Sequence, residues 1–378
     1  MRRVGIVIGH LTIGGAERQV YELAVGLTKT CAYEPVVICY SNFRNPFGSK
    51  LEKEGVKVVY LNSSQNYLSK LAWIRKQLIE NDCQIAYAFL PQTNVYCWLA
   101  CMSTGIAFIA SVRGIPHLNL LFGLGLNAAF AGSDIIIANS ESGKKWAVKK
   151  HKADPKKIVT IVNAVRHINF DPSARKILRI ELGIEPHEIV IGLVSNIKEA
   201  KCPDFMLEIA SDFLKVAKDI HFIWVGDGSL YTDILRRYHA LPSTIQSKIH
   251  FVGAKENIGD WFSVFNIFML ISEGEGLPNA LMEAMSLGLP CICSDVPGIV
   301  DVINNYQTGI LVPNNKEGWI SSLSNLVQNK ELSRFVGENA KNEMLKYSPQ
   351  MLVANTTAIF NEILSKNNRS KRIIKLLA

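Results

Sequence analysis

Two glutamates, Glu275 and Glu283, are separated by seven residues in the stretch SEGEGLPNALMEAMSLGLPCICSD. Good helix formers follow Pro278 and end before Gly288. Because proline is favoured at the first helical position and glycine just past the last, the stretch predicts a helix over residues 278–287, preceded by a turn that carries Glu275. The N-terminus of such a helix supplies unpaired N–H groups and a positive dipole end, which favour a phosphate or diphosphate.

Glu283 shares one polar stripe of this predicted helix with Asn279 and Ser286, whereas the other positions are apolar. We therefore expect its carboxylate to be half buried. Burying an ionised carboxylate is costly without fixed donors, and the two hydroxyls of a ribose would suit its oxygens. The alternative is that Glu283 caps a neighbouring loop and that Glu275 is a solvated turn residue, which is the commoner situation for either glutamate alone.

The whole string, with GLP between the glutamates and EAM beginning at Glu283, closely resembles the Glu-x7-Glu motif of the retaining GT-B glycosyltransferases of family 4. In that family the first glutamate lies beside the donor sugar and the second binds the ribose, which implies these roles for Glu275 and Glu283. The resemblance assigns the diphosphate to the backbone of four residues: Leu277, Pro278, Asn279 and Ala280. The proline of this set has no N–H to donate.

A loop near the start of the chain is similar to the GGAE loop of the same family. It follows the first predicted strand and contains His10, Gly14 and Gly15. Two glycines let the backbone approach a ligand closely, so the resemblance places them against the donor diphosphate or the acceptor, with His10 as an acceptor-side candidate. Glu17 and Arg18 could equally be an ordinary first-turn charge and a solvated neighbour.

Two loops in the second half of the chain complete the resemblance. Family members usually carry Arg or Asn at the position of Asn196 and a phosphate-binding lysine at that of Lys201, which implies a catalytic role for Lys201. Asn196 has no charge, and Lys198 could compensate. A lysine in such a loop is more often solvated. The VGDG turn around Gly226 resembles the family's donor-binding turn, but Tyr231 replaces the third glycine of a dinucleotide fingerprint.

Arg113 and His117 lie just past a predicted strand end and could orient an acceptor hydroxyl or phosphate, although a structural salt bridge is equally expected for each. The apolar helix predicted over residues 118–131 either belongs to the core or faces a membrane or lipid acceptor.

The elements that position these residues alternate between short apolar strands and helices from end to end, which predicts an α/β protein with parallel sheets. The pattern restarts after a polar, basic connection at residues 166–176, which we interpret as a hinge. The resemblance implies the GT-B fold, with two doubly wound Rossmann-like domains facing each other across a cleft. We expect an acceptor-side domain at 1–167, with 348–378 crossing back onto it, and a nucleotide-sugar-binding domain at 168–347.

The composition indicates a soluble globular protein: among 378 residues, 48% are hydrophobic and 20% are charged. We expect a cytoplasmic protein, because the apolar run at the start is too short for a signal peptide and no run has the length of a membrane span. The eight cysteines form no C-x-x-C pair, so we expect reduced thiols and no structural metal. Five of them are predicted at core positions: Cys31, Cys39, Cys83, Cys97 and Cys101.

The formal net charge of +8 is concentrated in a lysine cluster at 144–157 and in a basic tail at 366–375. No recognition motif accompanies either cluster, so nucleic acid is not expected. An anionic membrane surface, with the protein peripheral at the inner face, or a pyrophosphate-linked acceptor fits better. Two solvated faces without a partner remain the alternative.

The resemblance implies a retaining glycosyltransferase that moves a hexose or N-acetylhexosamine from a nucleotide diphosphate sugar, most readily a UDP-sugar, to a glycan or lipid-linked acceptor in cell-surface polysaccharide synthesis. The family is typically metal independent, and no D-x-D motif occurs, so no cofactor is expected besides the co-substrate. Two alternatives share the fold, a sugar-nucleotide epimerase and a non-catalytic nucleotide-sugar-binding protein. An oxidoreductase with two Rossmann-like domains would need the missing glycine fingerprint.

Overall fold

The computed structural model describes residues 1–62, 66–115, 119–166 and 168–377, with side chains as far as residue 366. Contacts between Cα atoms divide the chain into two compact units. The first comprises Met1–Ala164 and Tyr347–Ala378, and the second comprises Val165–Lys346.

The first unit contains a parallel sheet in the strand order β3-β2-β1-β4-β5-β6-β7. Alternate residues of β1 (Arg3–Ile8), an inner strand, enter two separate cores, with Val4, Ile6 and Ile8 on one face and Val7 on the other, so both faces are covered. The strands are β1 (Arg3–Ile8), β2 (Glu34–Cys39), β3 (Lys57–Tyr60), β4 (Cys83–Ala88), β5 (Ala107–Val112), β6 (Ile135–Ala138) and β7 (Ile158–Thr160). The helices are α1 (Gly15–Thr30), α2 (Phe47–Lys53), α3 (Tyr67–Glu80), α4 (Pro91–Cys101), α5 (Leu120–Gly132), α6 (Glu141–His151) and α15 (Pro349–Leu377).

The second unit contains a parallel sheet in the order β10-β9-β8-β11-β12-β13. The strand order reverses between β8 and β11, and ligands of such sheets bind outside the carboxyl ends of the strands at this point. The strands are β8 (Ile189–Val194), β9 (Ile220–Val225), β10 (Ile249–Gly253), β11 (Ile267–Leu270), β12 (Cys291–Ser294) and β13 (Ile310–Val312). The helices are α7 (Pro172–Glu181), α8 (Pro203–Val216), α9 (Tyr231–His239), α10 (Ser243–Gln246), α11 (Ile258–Val264), α12 (Asn279–Ser286), α13 (Lys316–Gln328) and α14 (Lys330–Met344).

The predicted α/β class is confirmed, and every predicted strand is present within a few residues of its expected position. The predicted connection at 166–176 differs, because it is helical from Pro172 onward. The Asp171 side chain accepts hydrogen bonds from the N–H groups of Ser173 and Ala174, and Pro172 occupies the first helical turn. This start signal outweighs the polar composition of the segment.

All eight cysteines are free thiols, and six of them are buried. The core prediction is wrong for Cys31, which is exposed in the left-handed conformation that ends α1, with φ of 53°. Within the described part of the chain, no helix is both long enough and apolar enough to cross a membrane.

Candidate functional site

Helix α12 carries the second glutamate of the motif at the carboxyl edge of the second sheet. It begins at Asn279, so Pro278 is the residue before the helix and not its first position as predicted. Gly288 has φ of 79° and ends the helix in the left-handed conformation, as expected for glycine just past a C-terminus. Asn279 and Ala280 form the half-buried first turn, whereas Leu277 and Pro278 are buried.

Glu283 is buried to a greater extent than the half-buried position predicted, since only 3% of it is exposed. Arg166 Nε donates a hydrogen bond to Glu283 Oε1 at 3.1 Å. A buried carboxylate needs such a donor, because an unpaired one would lose its hydration without compensation. The fixed donor expected for Glu283 is therefore supplied by an arginine that the sequence pattern did not indicate.

Glu275 and Lys201 contact each other directly. Lys201 Nζ donates to Glu275 Oε1, and the two side chains are only 12% and 15% exposed. The Glu275 N–H donates to the Pro297 carbonyl at 3.0 Å. Gly298 lies against the same segment with φ of 84°, and a Cβ there would lie 2.3 Å from the Glu275 carbonyl oxygen. The turn at 297–298 therefore fixes the backbone that carries Glu275.

A serine joins the two loops that carry this pair. Ser272 Oγ donates to the Ala200 carbonyl at 2.9 Å, and the Glu273 N–H donates to the same oxygen at 3.1 Å. The loops follow β8 and β11, which are neighbours in the sheet. These two hydrogen bonds to the Ala200 carbonyl thus hold Lys201 beside Glu275 at the point where the strand order reverses.

Asn196 and Lys198 line an open pocket of about 410 Å³ together with Asp227, Gly228 and Ser229. Gly226 packs on the same loop: its φ is 155°, and a Cβ there would lie 1.9 Å from the Ser195 carbonyl oxygen. The VGDG turn therefore packs backbone to backbone against the loop that carries Lys201.

In the first unit, the GGAE loop builds a buried carboxylate. Gly14 precedes α1 and Gly15 is its first residue, while Glu17 is 3% exposed. Glu17 Oε1 lies 3.3 Å from His10 Nδ1, and Thr12 Oγ1 lies 3.0 Å from the same nitrogen. Burial raises the pKa of Glu17, while its own N–H and His10 act to lower it. The interpretation of Glu17 as an ordinary first-turn charge is therefore wrong.

Arg113 takes part in a half-buried hydrogen-bond network, and among the described residues it forms no salt bridge. Its Nη1 donates to Asn163 Oδ1 at 3.0 Å, and its Nη2 donates to the Tyr87 hydroxyl at 2.6 Å. Its guanidinium carbon lies 4.2 Å from the centroid of the Phe89 ring. His117 lies outside the described residues.

Two family models match successive parts of the chain. The model described as Glycosyltransferase Family 4 matches residues 13–167, and the one described as Glycosyl transferases group 1 matches residues 188–329. The chain belongs to glycosyltransferase family 4.

Two curated relatives of this family 4 chain carry functional names. The chain is 26% identical over 260 residues to the N-acetyl-alpha-D-glucosaminyl L-malate synthase of Bacillus anthracis, covering 68% of this chain and 66% of that one. It is 28% identical over 246 residues to the UDP-Gal:alpha-D-GlcNAc-diphosphoundecaprenol alpha-1,3-galactosyltransferase of Escherichia coli, covering 64% and 62% of the two chains. The matched regions thus span less than two thirds of either relative.

A solved structure shows the fold of the family 4 chain. The Anabaena protein HepE in complex with UDP-glucose has a TM-score of 0.84 at 16% identity, covering 96% of this chain and 100% of that one. Together with the two parallel sheets and their alternating helices, this likeness confirms the GT-B fold predicted from the sequence.

The site of this family 4 chain includes residues that the sequence did not indicate. Arg166 comes from a segment 117 positions before Glu283, and the turn at 297–298 follows Glu275 by a whole helix and strand. The GG pair before Glu17 was the one local signal for the buried carboxylate. Among the described residues, no group of three or more His, Cys, Asp or Glu side chains could hold a metal ion.

Proposed function

We propose that this chain is a retaining, metal-independent glycosyltransferase that moves a hexose or N-acetylhexosamine from a UDP-sugar to a glycan or lipid-linked acceptor in cell-surface polysaccharide synthesis. The family supports transfer of a sugar. The choice of uridine is supported by the name of the Escherichia coli relative and by the complexes of HepE with UDP and UDP-glucose.

The observation that carries the proposal is the Lys201–Glu275 pair beside the start of α12. The lysine supplies a cation for the donor diphosphate, and the helix N-terminus adds N–H groups and a positive dipole end. Glu275 holds the ammonium group in place before the donor arrives and then faces the sugar. Two fixed positive centres next to a carboxylate suit a ligand with an anionic diphosphate and a neutral sugar.

Glu283 completes the donor site by accepting hydrogen bonds from the two ribose hydroxyls. An ionised carboxylate offers about four lone-pair sites, so it can keep its contact with Arg166 Nε and still accept from hydroxyl groups. The burial of Glu283 strengthens these hydrogen bonds, because the local dielectric constant is low.

In the proposed reaction, the acceptor oxygen attacks the anomeric carbon on the face from which the diphosphate departs. The bond between the anomeric carbon and the diphosphate oxygen breaks, and the acceptor proton passes to a β-phosphate oxygen. Negative charge builds on the departing diphosphate. Lys201 and the start of α12 stabilise that charge, because preorganised donors need no rearrangement during the reaction.

Thermal unfolding with UDP, GDP, ADP and NAD, each with and without a chelator, tests the donor class and the metal independence. At a hundred times its dissociation constant, UDP should stabilise the protein by about 2.7 kcal/mol in the presence of the chelator. Lys201→Met should remove the shift, whereas Lys215→Met, an exposed lysine on α8, should keep it. A shift with NAD alone would overturn the proposal.

Turnover of a UDP-sugar panel then separates the transferase from its alternatives. A transferase should release UDP faster when a glycan or lipid-linked acceptor is added, and the product should retain the anomeric configuration of the donor. Conversion of the UDP-sugar into its epimer without any acceptor would favour the epimerase, and binding without turnover would favour the non-catalytic protein.

We also propose that the protein works at an anionic membrane surface, through a patch made by the first turns of α5 and the end of α6. Leu120, Leu121 and Leu124 are 79%, 82% and 56% exposed. His151, the last residue of α6, joins the two helices, because its Nδ1 lies 2.7 Å from Asn127 Oδ1.

Three lysines surround the end of α6 at this patch: Lys149, Lys150 and Lys152. All three are exposed. Apolar side chains next to clustered lysines suit a surface with an apolar interior and anionic headgroups, to which each basic residue adds about 1 kcal/mol.

Sedimentation with vesicles of phosphatidylcholine and phosphatidylglycerol tests this patch. The double variant Leu120→Ser, Leu124→Ser should bind at least tenfold more weakly than the wild type, whereas Leu68→Ser, an equally exposed leucine on α3, should bind normally. If deletion of residues 366–378 abolishes binding while the double variant binds normally, the basic tail and not the patch is the membrane contact.

A further inference from the structure

Arg166 lies at the start of the second unit and contacts the glutamate to which we assign the ribose. Its Nε donates to Glu283 Oε1 at 3.1 Å, and the Arg166 side chain is 34% exposed whereas that of Glu283 is 4% exposed. A guanidinium has five N–H donors in a planar fork, and this contact uses one of them. The N–H groups of Nη1 and Nη2 have no hydrogen-bond partner among the residues that the structure describes. Most of the Arg166 donors are therefore available to a ligand.

Another arginine of the second unit shows what a purely structural role requires. Arg179 in α7 is 5% exposed, and its Nη2 donates to the carbonyls of Glu185 and Glu188, at 2.6 Å each. Buried donors generally find partners within the protein, because an unpaired donor loses its hydration without compensation. Arg166 instead leaves its Nη groups accessible, so a role in holding Glu283 does not account for them.

The contact through Nε determines where the rest of the guanidinium lies. Nε is the donor closest to the main chain, and the two Nη atoms are joined to it through a single carbon. Because the guanidinium is planar and rigid, holding Nε against Glu283 restrains both Nη groups beside the same carboxylate. Less rotamer freedom is then lost when they bind a ligand. Arg166 is thus prepared to contact a group that lies beside the bound ribose.

A phosphate is the ligand group that fits this position. In a nucleoside diphosphate the α-phosphate is bonded to the ribose, so a ribose on Glu283 brings that phosphate close to the neighbouring side chain. Two N–H groups on one edge of a guanidinium match two oxygens of a phosphate, and such charge-assisted hydrogen bonds are strong. Arg166 therefore adds a cationic fork of donors that the uncharged Asn196 does not supply.

We propose that Arg166 is a donor-binding residue whose Nη groups hold the α-phosphate of the nucleotide while its Nε holds Glu283 for the ribose. One side chain then fixes two adjacent groups of the donor. Lys201 and the start of α12 are left to the β-phosphate, on which the leaving charge builds. The proposal rests on the proposed function, because that function places a nucleotide ribose on Glu283.

Calorimetric binding of uridine and of UMP isolates the α-phosphate; guanosine and GMP, or adenosine and AMP, replace them if thermal unfolding selects another base. In Arg166→Gln, the ratio of the UMP affinity to the uridine affinity should fall at least tenfold relative to the wild type. Arg334→Gln, which changes an exposed arginine on α14, should keep the wild-type ratio. A merely structural role would lower both affinities equally, and an unchanged ratio in Arg166→Gln would overturn the proposal.

Two further variants keep the test valid if the loss of Arg166 disturbs Glu283. Arg166→Lys retains the charge but not the planar fork, so its affinity ratio should lie between those of the wild type and Arg166→Gln. In a Glu283→Gln background, which removes the buried charge, adding Arg166→Gln should lower the ratio by the same factor as in the wild type. If the second substitution has no effect in that background, Arg166 acts only through Glu283 and does not contact the phosphate.

Phosphorus NMR of bound UDP distinguishes the two phosphates. Arg166→Gln should change the chemical shift of the bound α-phosphate more than that of the β-phosphate, whereas Lys201→Met should do the reverse. A change confined to the β-phosphate in Arg166→Gln would place the guanidinium at the leaving group and contradict the assignment.

Transfer assays separate this proposal from the proposed function. If the affinity ratio falls in Arg166→Gln but the wild type transfers sugar to no acceptor, the α-phosphate contact stands and the transferase proposal fails. If the wild type transfers sugar and the ratio does not change, the transferase proposal stands and the Arg166 contact fails. If no nucleotide binds the wild type, both fail.

Discussion

Lysine–glutamate pairs occur at both edges of the second sheet. At the amino edge, Lys248 Nζ donates to Glu188 Oε1 at 2.6 Å. His221 Nε2 lies 3.1 Å from Glu188 Oε2, and the Glu185 N–H donates to the same oxygen at 2.7 Å. At the carboxyl edge, Lys201 contacts Glu275 next to the start of a helix and between loops that glycines shape.

The difference between the two edges lies in what surrounds the carboxylate. Glu188 is 6% exposed and has donors from three sides, so its contacts tie β8, β9 and β10 together at their beginnings. Glu275 contacts Lys201 and lies at the edge of the sheet where we propose that the donor binds. The same pair of residue types therefore stabilises the fold at one edge and, in the proposed reaction, holds the donor at the other.

The largest expected effect is at the carboxyl edge. Glu275→Ala should lower kcat about 1,000-fold, equivalent to about 4 kcal/mol, because the group beside the donor sugar is lost, while UDP affinity falls only modestly.

Glu283→Ala should instead weaken UDP binding about tenfold or more, because the ribose loses its acceptor. Steady-state kinetics measures kcat, and calorimetry measures UDP affinity, in both variants. Equal effects of both variants on binding alone would contradict this division of roles.

At the amino edge, Glu188→Gln should destabilise the second unit by about 3 kcal/mol, because Lys248 and His221 lose a buried charged partner. Hydrogen–deuterium exchange of β8, β9 and β10 reports this loss locally, which suits a chain of two units. UDP affinity should not change.

The matched control for this variant is Glu185→Gln, an exposed glutamate in the same turn whose exchange rates should stay at the wild-type level. If Glu188→Gln leaves protection of the strands intact but weakens UDP binding, the two edges do not differ in the way described.

The glutamates at the carboxyl edge could be predicted from the sequence, whereas the Lys248–Glu188–His221 cluster at the amino edge could not, for a physical reason. Glu275 and Glu283 are placed by one short helix whose proline and glycine boundaries are local signals. The amino-edge partners come together only when β10, β9 and β8 pair in that order, and Glu188 is 33 residues from His221 and 60 from Lys248. Strand order is not encoded in any one segment.

Burial was also predicted less well than secondary structure. The helical stripe correctly indicated a partly apolar surrounding for Glu283 but not its full burial, because Arg166 arrives from a distant segment. For Glu17, the sequence left open an ordinary first-turn charge, whereas the missing side chain of Gly14 leaves room for a buried carboxylate. In both cases a partner remote in sequence or a missing atom decided the environment.

The smallest expected effect concerns pH, and it again distinguishes the two edges. His221 Nδ1 lies 2.9 Å from His250 Nε2. Burial, with help from His221 and Lys248, lowers the pKa of His250 to about 4, and burial with Lys248 also lowers the pKa of His221. Burial acts to raise the pKa of Glu188, but its contacts with Lys248, Glu185 and His221 lower that pKa to about 2. Glu188 therefore titrates below pH 5.

A histidine whose folded pKa lies below its unfolded value of about 6.5 binds more protons when unfolded, so its contribution is present above that value and is lost as pH falls toward 4. Between pH 7 and pH 5, the second unit should therefore lose about 2 kcal/mol through His250. Exchange protection of β9 and β10 at the two pH values measures the loss. This loss of protection should be smaller in His250→Gln. It should persist in His239→Gln, because His239 lies at the exposed end of α9. If protection falls equally in both variants, His250 does not account for the pH dependence. The Lys248–Glu188–His221 cluster would then differ from the Lys201–Glu275 pair only in its burial.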